Sequence, residues 1–159
     1  MTKEIVNVEF IQKTYDTNKM DSWSKEQWKE WRGESDDNTG IKIPLINDNR
    51  FYLKIMGIYY NEETKEMFFG FDTQNKLDRA INIQFGEWKI DESTFNLSQE
   101  KPYYLKSCSE VRGFQKSVER TYLESWDFIT IEINLLDAET NQLIREFEFR
   151  IEKRLVQVF

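Results

Sequence analysis

The sequence predicts a mainly β protein, an antiparallel β-sandwich carrying one short tryptophan-rich helix. Most of the chain alternates apolar and polar residues with the period of a half-buried strand, and clusters of turn-forming residues separate the alternating stretches. A single segment, residues 22–33, breaks that pattern with a helix-capping signature. Many strands and few helices call for sheet packed on sheet.

Residues 4–11 form the first expected strand. Next, Ser24 stands as N-cap with Gln27 three residues on as its capping-box partner, and Gly33 is placed to end a helix of about two turns. Trp28 and Trp31 then share a face at i, i+3, and Trp23 precedes the cap, where it can fold back on them as a staple. The acidic loop 34–40 returns the chain to strands at 50–60, 65–73 and 79–90. Residues 61–64 and 74–78 read as turns, each joining antiparallel neighbours. Residues 101–121 are ambiguous, because 111–118 fit either a strand with Gly113 at a bulge or an irregular crossover. The clearest pair comes last. Residues 129–135 set four aliphatic side chains against Thr130, Glu132 and Asn134, and residues 143–151 set Phe147, Phe149 and Ile151 against Glu146, Glu148 and Arg150. Residues 137–141 read as their hairpin loop, and a short terminal strand is expected near 155–159. No repeat or low-complexity tract divides the chain, so one domain spans 1–159.

The stretch 69–83, a strand, an Asn-Lys turn and a strand, resembles immunoglobulin-like β-sandwich domains of uncharacterised Gram-positive proteins. Residues 128–141 followed by 147–151 are similar to their final hairpin, and the resemblance covers roughly 41–153. It implies a fold and no function. The tryptophan-rich segment and the lack of a leader depart from that pattern and argue against a cell-surface role.

Composition narrows the chemistry. Ile, Leu, Val and Phe make up 27% of the 159 residues, enough for a chain of this charge to fold around a core. The net charge of −7 gives no electrostatic footprint for nucleic acid or anionic lipid, so a basic or neutral partner is expected. No histidine is present, which excludes serine–histidine and cysteine–histidine catalysis and removes the commonest zinc ligand. Cys108 is the one cysteine, so no intrachain disulfide can form. Neither a signal-peptide core nor an apolar run long enough for a membrane span occurs, and the expected compartment is the cytoplasm.

Four features bear on a site. Glu87 and Lys89, with Asp72 or Asp78 upstream, have the residue types of metal-dependent nucleases, in which carboxylates hold Mg²⁺ and a lysine orients water; a solvated strand face is the plainer reading. Glu34, Asp36 and Asn38 suggest calcium, but counting from Glu34 puts Thr39 where a helix-loop-helix site needs glycine and Leu45 where it needs glutamate. Cys108, with no histidine to activate it, reads as a small buried or half-buried thiol. Trp23, Trp28 and Trp31 either plug the open end of the sandwich or anchor a partner.

The sequence therefore leads to a non-enzymatic protein-binding sandwich without cofactor, metal, nucleic-acid or membrane contact. Its expected partner-binding residues are Trp23, Trp28, Trp31, Glu34, Asp36 and Asp37. An inhibitor of a basic, nucleic-acid-binding enzyme, analogous to the anti-CRISPR proteins of phages and mobile elements, fits this acidity. The alternatives are an accessory ligand- or domain-binding sandwich of a Gram-positive cell and the metal-dependent nuclease.

Overall fold

A computed structural model describes residues 2–32, 42–119 and 126–158. Two sheets face each other, as the alternation requires. The first holds β1 (Glu4–Thr14), β5 (Ile81–Ile90), β6 (Ser93–Asn96), β7 (Tyr103–Leu105), β9 (Phe128–Asp137) and β10 (Leu143–Gln157). Its order is β1-β10-β9-β5, and β6 and β7 share the far edge of β5. The second holds β2 (Ile43–Asn47), β3 (Phe51–Asn61), β4 (Glu66–Asn75) and β8 (Ser109–Glu119) in the order β2-β3-β4-β8. Among the described residues between β1 and β2 lie a 3-10 turn (Thr17–Ser22) and the helix α1 (Lys25–Arg32).

Among the described residues every pairing is antiparallel except β1 with β10, which runs parallel from Glu4 opposite Phe147 to Thr14 opposite Gln157. Nearly the whole chain separates these two strands, so no tight turn dictates their direction. The expected separate strand near 155–159 is instead the continuation of β10, which runs unbroken to Gln157.

Alternation delivers the core. Phe69 and Phe71 of β4, Ile81 and Ile83 of β5, Ile129, Ile131 and Ile133 of β9, and Phe147 and Phe149 of β10 are all fully buried. Trp88 sits among them, edge-on to Phe69 at 5.0 Å and to Phe85 at 5.1 Å. A bulge puts it there, because Phe85 pairs with Ile133 but Trp88 with Ile131. Glu132 fixes the bulge by accepting the Glu87 N–H at 3.1 Å, and a Cβ on Gly86 would lie 2.9 Å from the same carboxylate. A Cβ there would force the Glu132 side chain to shift.

Two hairpin loops share one design. Asn61 and Asp137 each accept backbone N–H bonds from residues two and three places on, at 2.8–3.3 Å. The fifth residue of each loop, Lys65 or Asn141, has φ near +60° and donates its N–H to the first residue's carbonyl. These loops join β3 to β4 and β9 to β10 as the turn residues predict.

The 74–78 link does not. It carries the chain from β4 in one sheet to β5 in the other, so the two strands are not neighbours. Asn75, fully buried, sets this corner: its amide donates to the carbonyls of Arg79 and Lys106 at 2.8 and 3.0 Å and accepts from the Leu77 N–H at 3.0 Å. The Leu105 carbonyl also accepts from this amide at 3.3 Å, so one buried side chain satisfies four backbone groups at the arch between the sheets. In β8 the bulge alternative holds. Gly113, at φ +75°, is the extra residue opposite Phe71 and Asp72, and its N–H reaches Asp72 at 2.9 Å.

Arg145 ties the sheets together at one end. It is 4% exposed, forms a two-pronged bond to Glu4 at 2.8 and 2.9 Å, and meets Asp48 of the β2–β3 turn at 2.8 Å. Its guanidinium also lies 4.5 Å from the Phe147 ring centroid. No helix among the described residues is long and apolar enough to cross a membrane.

Candidate functional site

The capping box forms as the spacing predicts. The Ser24 hydroxyl accepts the Gln27 N–H at 3.2 Å, and the Gln27 side chain accepts the Ser24 N–H at 2.7 Å. Ahead of it, Asp16 caps the 3-10 turn through the Asn18 N–H at 3.0 Å, and the Trp23 N–H closes that turn onto Met20. These two caps fix the backbone on both sides of Trp23. The ring consequently folds back onto α1.

All three tryptophans touch. Trp23 and Trp28 lie 5.2 Å apart edge to face, Trp28 and Trp31 lie 5.8 Å apart at 89°, and Trp23 and Trp31 lie 6.0 Å apart. Tyr15, just beyond the end of β1, adds a fourth ring 6.3 Å from Trp23. The aromatic residue immediately past the β1 alternation was the available sequence signal for this neighbour, and sequence reasoning missed it. Burial raises the Tyr15 phenol above its ordinary pKa, and the nearby Glu30 carboxylate adds to the shift.

The cluster lies apart from the sandwich core. Trp23 is buried but does not belong to the contiguous set of core residues, Trp28 is half-buried, and Trp31 is 41% exposed. An exposed ion pair, Lys13 to Glu30 at 2.6 Å, links the cluster to the sheet, the kind of contact that contributes ~0–1 kcal/mol. The rings pack on one another in a cluster beside β1. Lys25, Lys29 and Arg32 alternate with Glu26 and Glu30 around it. Glu34, Asp36 and Asp37, expected to extend this surface, lie outside the described residues, as does most of the 34–45 stretch considered for calcium.

The nuclease residues do not assemble. Glu87 and Lys89 lie 3.6 Å apart on the outer face of β5, whereas Asp72 lies on the opposite sheet, bonded to Gly113. Asp78 belongs to the corner between the sheets. Among the described residues, no three aspartate, glutamate or cysteine side chains are grouped to hold a metal ion. Cys108 departs from expectation. It is exposed, because the tight turn before β8 puts it at φ +50° with its sulfur 3.4 Å from the Leu77 carbonyl.

No family model matches the chain, and no curated protein matches it. Among solved structures, the crystal structure of a FixG-related protein from Vibrio parahaemolyticus matches 69% of this chain and 100% of that one, at 15% identity and a TM-score of 0.31. A likeness of that degree lends this chain no function.

Proposed function

We propose that this chain is a non-catalytic protein-binding β-sandwich whose contact surface is the Trp23–Trp28–Trp31 cluster and whose partner is basic. One observation carries the reading: three tryptophans pack on each other outside the core, and Trp31 keeps 41% of its surface in water. Rings held on one another and only partly covered are prepared to bury further area against a partner at little ordering cost. The mixed charges around them make a polar rim of the kind that surrounds interface anchors. The net charge of −7 favours a basic target, and the finer form of the proposal is an inhibitor that sets carboxylates where a nucleic-acid-binding enzyme expects phosphates.

The test is affinity capture from native-host extract, run in parallel with the wild-type chain and Trp31→Ala. The captured protein is then purified, and its activity is assayed with and without the chain at low and high salt. The reading expects a basic protein that the variant fails to retain and whose association with the chain slows as salt rises. Equal retention by both chains would contradict it.

A further inference from the structure

A cleft of about 350 Å³ opens on the side of the sandwich away from β1, where β7 of one sheet meets β8 of the other. Its floor is apolar. Phe85 and Phe114 are both buried there, and Tyr103 stacks on Phe114 at 4.5 Å and 17°. Phe114 in turn stacks on Phe71 of the core at 5.1 Å and 22°. Three nearly parallel rings thus step outward from the core and end at the cleft. A flat ring is the shape that extends such a column.

The rim is cationic in a chain that is otherwise acidic. The Lys116 ammonium, with a side chain 19% exposed, lies 5.5 Å from the Phe85 ring centroid and 2.6 Å from Glu100. Lys101 also lines the cleft and forms no ion pair among the described residues. Two ammonium groups against one carboxylate leave a local excess of positive charge. Because charges beyond about 10 Å are screened at ordinary salt, this local excess, and not the net charge, is what a bound group senses. The volume sits at the small end of ligand pockets, which suits one or two fused rings.

We propose that this cleft binds a small planar aromatic anion, an aryl carboxylate, sulfonate or phosphate. Its ring lies against Tyr103 and Phe114, and its charge meets Lys101 and Lys116. The arrangement divides the work between apolar walls and a few placed charges. It is built from residues 85–116, separate from the N-terminal segment that carries the tryptophan cluster.

Titration of the full-length chain with naphthalene-1-sulfonate, followed by backbone amide NMR, tests this. The expected result is saturable one-to-one binding, with the largest shifts at the amides of 103–105 and 114–116. Neutral 1-naphthylmethanol should bind about tenfold more weakly, and Lys101→Gln/Lys116→Gln should weaken the sulfonate by a similar factor with an unchanged far-UV spectrum. Tyr103→Leu should weaken both ligands. The lysine pair is partly exposed, so its variant keeps the test decisive if Tyr103→Leu fails to fold. Absence of saturation, equal affinity for the neutral compound, indifference to the lysine substitutions, or shifts centred on residues 23–31 that vanish in Trp31→Ala would each overturn the proposal.

Discussion

Replacing Arg145 by Met should cost about 2–3 kcal/mol of folding free energy at pH 7, and that loss should shrink as the pH falls below about 4. Removing one partner of a buried ion pair typically costs ~3–5 kcal/mol. Here the stranded carboxylates are only partly enclosed, with 41% of the Glu4 side chain and 34% of the Asp48 side chain exposed, so both can rehydrate and the cost falls below that range, to about 2–3 kcal/mol. Methionine fills much of the vacated volume against Phe147. The hydrogen bond from Arg145 holds the Glu4 carboxyl below its ordinary pKa. At Asp48 burial is the largest influence and acts upward. It is outweighed by the Arg50 and Phe51 N–H groups together with Arg145, and the net shift is downward. Carboxyls whose folded pKa is depressed stabilise the fold above the unfolded value, about pH 4, and that stabilisation is lost as pH falls through the folded value. The wild type should therefore begin to lose its advantage below about pH 4, whereas the variant has only the part that the Arg50 and Phe51 N–H groups give Asp48 to lose. Urea unfolding of both chains at pH 7 and pH 3 measures the gap. A gap that stays equal at the two pH values would refute the ion-pair account and assign Arg145 to packing on Phe147.

Gly86→Ala forces its Cβ to within 2.9 Å of the Glu132 carboxylate and 3.2 Å of its Cβ, so it should cost ~1–3 kcal/mol by urea unfolding; much of this should return in Gly86→Ala/Glu132→Ala, a non-additivity that a double-mutant cycle reads. Ser24→Ala removes the cap of α1 and should cost ~1 kcal/mol, with loss of helical far-UV signal but little change in the β component. Asn75→Ala leaves the Arg79 and Lys106 carbonyls without their donor at the corner between sheets and should lower stability by ~2–4 kcal/mol, more than any exposed asparagine in the chain.

Sequence reading succeeded where one side chain or one period decides the local structure. The capping box of Ser24 and Gln27 needs only two residues three apart, and it formed with both bonds. The β9–β10 hairpin follows from alternation on both strands and from Asp137, whose carboxylate captures the loop N–H groups within its own segment. Failures came where a distant partner decides. Asn75 looks like a turn residue, but the carbonyl of Lys106, far along the chain, makes it the pin of a crossing between sheets. Nothing local to β1 reveals that its neighbour is β10 and runs parallel to it. The short strands β2, β6 and β7 were not predicted, since three to five residues carry too little period to register. With β7 unseen, the cleft beside Tyr103 had no second wall. The tryptophans were legible as a cluster, because i, i+3 spacing and a staple position bring rings together regardless of what lies around them. Whether they joined the core was not legible, because that depends on where α1 sits against the sheets.

The most direct test of the tryptophan surface is to measure two free energies on one substitution, Trp31→Ala: unfolding by urea, and binding to the purified partner by calorimetry. Trp31 is 41% exposed and joined to the fold by ring contacts with Trp23 and Trp28, so its loss should cost only ~1–2 kcal/mol of stability. As an interface anchor it should cost ~2 kcal/mol or more of binding, a weakening of about thirtyfold. The account predicts a folded variant with that loss of affinity. A variant that binds as tightly as the wild type, or one that loses ~3–5 kcal/mol of stability as a core tryptophan would, contradicts it.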